Sequence, residues 1–313
     1  MAGLNIRSVL VTGSNRGIGL ELVKQLVGKS NPPRWVFATC RNPEGTRGQE
    51  LRELVSKHAN LVMVKLDAVN PVSIQEAAKT VEAQLEDSGL NLLINNAGIF
   101  SNVTLETVDA EEMLGAYKTN VVGPMLVGQA FLPLLKKAAQ TSAQKGLSCS
   151  KAAIVNISSV LGSVALVPET FFKPVISYRC SKAVPLTLGT SSLHHRAAIS
   201  ACSHPRGAAH SVLFPGARQL LLWRKEHSHG LLSQAVRPQA ALNMLTRSQA
   251  LSYMKDGILC AALHPGWVQT DMGTREADLT VEESIRGILT VLSALSEKHS
   301  GSFLNWAGKT LPW

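Results

Sequence analysis

Tyr178 and Lys182 stand four residues apart in the stretch Ser177-Tyr178-Arg179-Cys180-Ser181-Lys182, a spacing that stacks two side chains on one face of a helix. A phenol keeps its proton to about pH 10, and a neighbouring cation favours the phenolate, so the pair could pass a proton to a carbonyl near neutrality. The same spacing also describes a half-buried ring beside a solvated charge. The elements that would have to surround the pair decide between these readings. Ser177 is expected to cap the helix that carries it.

Ser8–Val11 is a short apolar run that ends in Thr12-Gly13-Ser14-Asn15-Arg16-Gly17-Ile18-Gly19, after which Leu20, Leu22, Val23, Leu26 and Val27 recur at helical spacing. Strand, glycine turn and helix form the context of a dinucleotide loop: Gly13 for the tight turn, Gly17 for close approach of the backbone to a pyrophosphate, Gly19 for helix packing. The second strand, Trp35–Cys40, has no acid at Ala38, Thr39 or Cys40 to bind ribose hydroxyls and is followed by Arg41. Arg16 and Arg41 could instead hold a 2′-phosphate through bidentate bonds, which favours NADPH over NADH. A third strand, 61–66, closes with Asp67, placed to accept from an adenine amine or to cap its own loop.

The fourth strand, 90–94, runs into Asn95-Asn96-Ala97-Gly98, a polar wall of the kind against which a cofactor lies. A helix expected over 113–135 carries Asn120, either a satisfied core amide or a functional group. A fifth strand, 153–157, ends in Ser158-Ser159. A sixth, 257–263, leads to His264-Pro265-Gly266-Trp267-Val268-Gln269-Thr270, and a helix over 281–295 precedes a last strand at 302–306. Strands alternating with helices predict an α/β fold, a single doubly wound Rossmann domain over 1–313 with a parallel sheet of about seven strands.

Composition narrows the function classes. Nothing in the 313 residues approaches the eighteen or so apolar positions of a membrane span, and the first strand starts close behind Met1, so we expect a soluble cytoplasmic protein without a signal peptide. The five cysteines form no CxxC pair, which suits a reducing compartment and points to no metal site. Most of the net +9 comes from residues 184–240, where Arg196, Arg206, Arg218, Arg224, Lys225 and Arg237 face the single acid Glu226. Aromatic residues are too sparse there for nucleic-acid binding, and the scattered histidines share no metal-ligand spacing.

TGxxxGxG, NNAG, a strand-end serine, YxxxK and PGxxxT, in this order, resemble the short-chain dehydrogenase/reductase family over about residues 6–183 and 240–313. The NP-containing stretch after Arg41, the long segment between Ser159 and Tyr178, and AALNML are most similar to its sniffer/C-factor-like carbonyl reductase branch. The resemblance implies an NADPH-dependent reductase of small or moderately apolar ketones and aldehydes, with a homodimer as a possible assembly, since the family's long helix after the lysine often forms a dimer interface. By position, Tyr178 would be the general acid, Lys182 would lower its pKa and hold the nicotinamide ribose, Ser159 in preference to Ser158 would bind the carbonyl, and Asn120 would hold a water. Gly13, Arg16, Ile18, Arg41, Asp67, Asn95 and Thr270 would contact NADP. Ser14, Asn15, Gly17, Gly19, Ala97, Gly98, Pro265, Gly266 and Val268 would complete its site. Phe171 and Phe172 would face the substrate from a loop over 164–175.

The departure from the family pattern lies directly after Lys182. Ala183 is followed by Val184-Pro185, and helical text resumes only at Ala240-Ala241-Leu242. Joining Ala183 to Ala241 restores SKAALNMLTRSQALSYM, one amphipathic helix. Residues 184–240 therefore read as a loosely ordered insertion within the catalytic helix, of the kind alternative splicing produces. Pro185 would cost about 3 kcal/mol or more in a helix interior. Either the segment loops out with both helix halves docked, or the catalytic helix frays and leaves an NADP-binding protein with little turnover.

Overall fold

The computed structural model describes residues 4–170, 175–183 and 241–313. Phe171, Phe172 and residues 184–240, with the insertion expected there, lie outside the described residues. The strands β1 (Ser8–Val11), β2 (Trp35–Cys40), β3 (Leu61–Lys65), β4 (Leu92–Asn95), β5 (Ala153–Ile157), β6 (Leu259–His264) and β7 (Phe303–Asn305) form one sheet in the order β3-β2-β1-β4-β5-β6-β7. All six strand pairings are parallel. Strands covered on both faces read as continuous apolar runs, which is why β1, β2 and β5 begin and end where the sequence predicts.

Alternation within each strand divides the core in two. Val9, Val11, Val36, Ile94, Val155 and Leu263 pack with α1 (Gly17–Val27) and α9 (Val281–Ala294). Leu10, Phe37, Leu93, Ile154 and Cys260 pack on the other face with α3 (Pro71–Leu85) and α5 (Gly123–Thr141). That second face also carries α8 (Leu242–Tyr253), joined to the sheet by polar bonds. Asn156 Nδ2 donates to Thr246 Oγ1 at 2.8 Å and to Gln249 Oε1 at 3.0 Å, and Ser158 Oγ donates to Asn243 Oδ1 at 2.6 Å.

Three local features differ from the sequence reading. The helix expected over 113–135 is two, α4 (Ala110–Tyr117) and α5, separated by a π-helical turn at Lys118–Val122 in which Gly123 N bonds to Lys118 O. Pro124 has no N–H for the carbonyl of Asn120, four residues earlier, so the regular ladder opens there. A short helix, α2 (Gln49–Lys57), follows β2 where the sequence reading placed no element. The helix that carries Tyr178 and Lys182, α7 (Ile176–Lys182), is capped by no side chain, and Ser177 sits inside it, donating to Glu112 Oε1 of α4 at 3.2 Å. The short α6 (Val167–Thr170) precedes it.

Among the described residues no helix is long and apolar enough to cross a membrane, and no group of three or more His, Cys, Asp or Glu side chains is placed to hold a metal ion. In the sheet order, β1 and β4 are neighbours whose onward connections run in opposite directions, and a crevice opens at their carboxyl ends.

Candidate active site

The crevice starts at the loop between β1 and α1. Gly13 and Gly17 both have φ in the left-handed region, +66° and +51°, where side chains beyond glycine are strained. A Cβ on Gly13 would lie 3.0 Å from Ala97 Cα, and one on Gly19 would collide with the Gly13 carbonyl. The loop is fastened to the end of β4: Thr12 Oγ1 accepts from Asn96 N at 2.9 Å and Ala97 N at 3.0 Å, and Asn96 Nδ2 donates to Thr12 O at 3.0 Å. The first turn of α1 carries no acid, so its free N–H groups present a positive end to the crevice. From here a cleft of about 750 Å³ runs past Arg16, Arg41 and Asp67 at one end to Ser159, Tyr178 and Lys182 at the other.

At that second end, the Ser159 hydroxyl lies close enough to Tyr178 to act on its phenol, and the Phe100 ring meets the Tyr178 ring edge to face at 5.2 Å. Ser159 also accepts from Leu161 N at 3.2 Å, which fixes the turn after β5. The Lys182 Nζ donates to Ile157 O at 3.1 Å and lies 5.7 Å from the centre of the Tyr178 ring. Burial pushes the phenol up to about 12, with the Ser159 bond pulling the other way, and pushes the Lys182 ammonium down to about 7. Desolvation is the largest influence on both groups: it holds the phenol above its usual value and brings the lysine to about 7.

Asn120 is fully buried in the π-helical turn. Its Oδ1 accepts from Ile99 N at 2.8 Å, and its Nδ2 donates to Ile99 O at 3.0 Å and to Ser181 Oγ at 2.9 Å. Ser181 Oγ in turn donates to the carbonyl of Tyr178 at 2.7 Å. Asn120 is thus a satisfied core amide whose bonds back α7.

Of the residues the sequence singled out, Gly13, Asn15, Arg16, Gly17, Ile18, Arg41, Asp67, Ala97, Gly98, Ser159, Tyr178, Lys182, Pro265, Gly266, Val268 and Thr270 border the cleft. Four do not. Ser14 is buried and donates to Val11 O at 2.7 Å, and Gly19 packs under the glycine loop. Asn95 turns inward to Asn156 Oδ1 at 2.8 Å, and Asn120 lies behind α7. Asn96, one position beyond the strand, borders the cleft where Asn95 does not. Arg47, Phe100, Leu161, Trp267 and Met272 border it too and escaped the sequence reading, because no motif marks a wall residue. His264 also borders it, and its buried imidazole is pushed down to about 4.

With this geometry in view, the pattern of the family described as short chain dehydrogenase matches residues 7–196. The fold is similar to that of an NADPH-bound carbonyl reductase from chicken fatty liver, at 47% identity and a TM-score of 0.80, covering 100% of this chain and 96% of that one. It is similar to the carbonyl reductase Sniffer of D. melanogaster, at 32% identity and a TM-score of 0.77, covering 99% and 100%. The C-signal protein of Myxococcus xanthus is 37% identical over 114 residues, 33% of this chain and 69% of that protein. The chain is an oxidoreductase of the short-chain dehydrogenase family, in the branch that holds Sniffer and the C-signal protein.

Proposed function

We propose that this protein is an NADPH-dependent carbonyl reductase acting on small or moderately apolar ketones and aldehydes. The observation that carries the reading is Ser159, Tyr178 and Lys182 together at one end of a cleft whose other end holds a glycine loop, a free helix start and the cations Arg16 and Arg41. The donor set suits a dinucleotide phosphate. Gly13 and Gly17 let the backbone approach a pyrophosphate, Arg16 and Arg41 suit a 2′-phosphate, and Asp67 suits an adenine amine.

NADPH, when bound, supplies the hydride. The protein supplies the rest. With its proton held to about pH 12, Tyr178 is a proton donor throughout the physiological range, and Ser159 places a second hydroxyl where an oxyanion develops. Lys182 titrates near 7, so it can restore the tyrosine proton without a large energetic step. Phe100, Leu161, Trp267 and Met272 give the cleft an apolar wall. NADPH oxidation in the presence of an aromatic ketone tests this reading: Tyr178→Phe is expected to abolish it, and undiminished turnover in that variant overturns the assignment.

A second reading, an NADP-binding protein with little turnover, draws on one feature: helix α7 ends at Lys182, and Ala183 is already extended, with φ −68° and ψ 166°. Turnover and NADPH affinity in a chain lacking residues 184–240 decide between the two. Equal turnover with and without the segment removes the silent reading, while a large gain on deletion favours it.

A further inference from the structure

Arg16 and Asp271 stand 255 positions apart in the sequence and on opposite lips of the cleft. Arg16 belongs to the glycine loop between β1 and α1, Asp271 to the loop between β6 and α9, and the guanidinium Nη1 lies 2.7 Å from the carboxylate Oδ2. The lips approach each other beside this pair as well, where a Cβ on Gly17 would lie 3.4 Å from Thr270 Cγ2. The carboxylate is not on a slack chain. Gly273 N bonds to both Thr270 O and Thr270 Oγ1 at 3.1 Å, and the Trp267 indole donates to Gly273 O at 2.5 Å. That turn presents Asp271 to Arg16.

Arg16 thereby faces two anions of different origin: the Asp271 carboxylate, and the 2′-phosphate that the proposed cofactor would bring to the same end of the cleft. A guanidinium fork engages one planar or tetrahedral anion well, and a carboxylate within reach of that fork repels an arriving phosphate. We propose that Asp271 is a determinant of cofactor choice that acts through Arg16, its carboxylate competing with the 2′-phosphate of NADPH for the guanidinium. The proposal rests on the NADPH reading given above. Asp271 is a positioning residue in this scheme: it touches Arg16, and the difference between NADPH and NADH is what it sets. Both side chains are substantially exposed, 50% for Arg16 and 73% for Asp271, so the pair belongs to the class of exposed ion pairs whose worth is small. The effect should accordingly be a tuning of affinity, not its loss.

Dissociation constants for NADPH and NADH, measured by calorimetry on the full chain, test this in four proteins: unaltered, Asp271→Asn, Arg16→Gln, and the double variant. Removing the carboxylate is expected to tighten NADPH binding about twofold to fivefold, the range of an exposed ion pair. NADH affinity should change much less. In the Arg16→Gln background the same change should have little effect on NADPH, since the guanidinium the two anions contest is gone. Weaker or unchanged NADPH binding in Asp271→Asn overturns the proposal. So does equal tightening of both cofactors, or tightening that persists without Arg16, which would belong to the general field of the carboxylate. If the unaltered protein shows no preference for NADPH and Arg16→Gln changes neither constant, it is the NADPH reading itself that fails.

Discussion

Ser158 donates a 2.6 Å hydrogen bond to the Asn243 side-chain carbonyl across 85 positions, tying the end of β5 to the first turn of α8. The adjacent serine, Ser159, borders the same cleft and is the one that acts on the Tyr178 phenol. Neighbouring serines thus have different partners, one fastening the sheet to the helix that follows residues 184–240, the other set beside Tyr178. Ser158→Ala is expected to cost about 1–3 kcal/mol of stability, the penalty for a buried acceptor left unpaired, while folded molecules keep turning over. Ser159→Ala should lower kcat by orders of magnitude with a smaller change in stability. Urea titration paired with kcat for both variants checks this, and the opposite pattern would move the carbonyl contact to Ser158.

Lys182 is 4% exposed and titrates near 7, down from 10.5, because burial disfavours its charge. The unfolded side chain binds its proton up to 10.5 while the folded one releases it near 7, so in that interval the unfolded state holds more protons and stability rises with pH. The full penalty is present below 7 and is relieved toward 10.5. Lys182→Met should therefore stabilise the fold more at pH 6 than at pH 9.5, by a difference on the order of 3 kcal/mol. Denaturant unfolding at the two pH values measures it, and a gain independent of pH would mean that the lysine is charged in the folded protein.

Much of this site is written in the chain because its parts are local. The glycine loop, the strand ends and the Tyr178–Lys182 pair each sit within a few residues of the element that positions them, and buried parallel strands announce themselves as apolar runs. What escaped depends on distance or on burial. Asn120 could not be assigned from its helix because its partners are the backbone of Ile99 and the hydroxyl of Ser181. The Arg16–Asp271 pair joins residues from opposite ends of the chain. Whether Lys182 lowers the phenol turns on where Nζ points, and it points at Ile157 O. The break at Lys118–Val122 had a local signal, Gly123-Pro124, that helical periodicity overrode.

The side chain of Asn120 offers one acceptor and two donor bonds to groups fixed by other elements. Asn120→Asp nearly preserves its shape but sets an ionised oxygen against Ile99 O and against a Ser181 hydroxyl already committed to the Tyr178 carbonyl. Such a carboxyl gains from protonation, its folded pKa is raised, and its stability is lost as pH rises. Asn120→Asp should melt lower at pH 8 than at pH 5, relative to the unaltered protein at each pH. Thermal melts at both values check the sign, and a pH-independent deficit would indicate that the carboxylate finds a donor.

Gly162 follows Ser159 in the turn after β5, and a Cβ there would lie 2.5 Å from the carbonyl carbon and oxygen of Lys182. Backbone cannot yield as a flexible side-chain tip does, so Gly162→Ala must separate this turn from the last turn of α7. That movement shifts Ser159 and Lys182 relative to each other, and catalytic contacts displaced by about 1 Å lose on the order of a hundredfold in rate. The comparison is Gly115→Ala in α4, where an added Cβ meets nothing within 4 Å and helix propensity favours alanine by about 0.5–1 kcal/mol. Gly162→Ala should lower kcat sharply and Gly115→Ala should raise the melting temperature at unchanged kcat. Retained kcat in Gly162→Ala would show that the turn and α7 need not touch for the Ser159–Tyr178–Lys182 geometry to work.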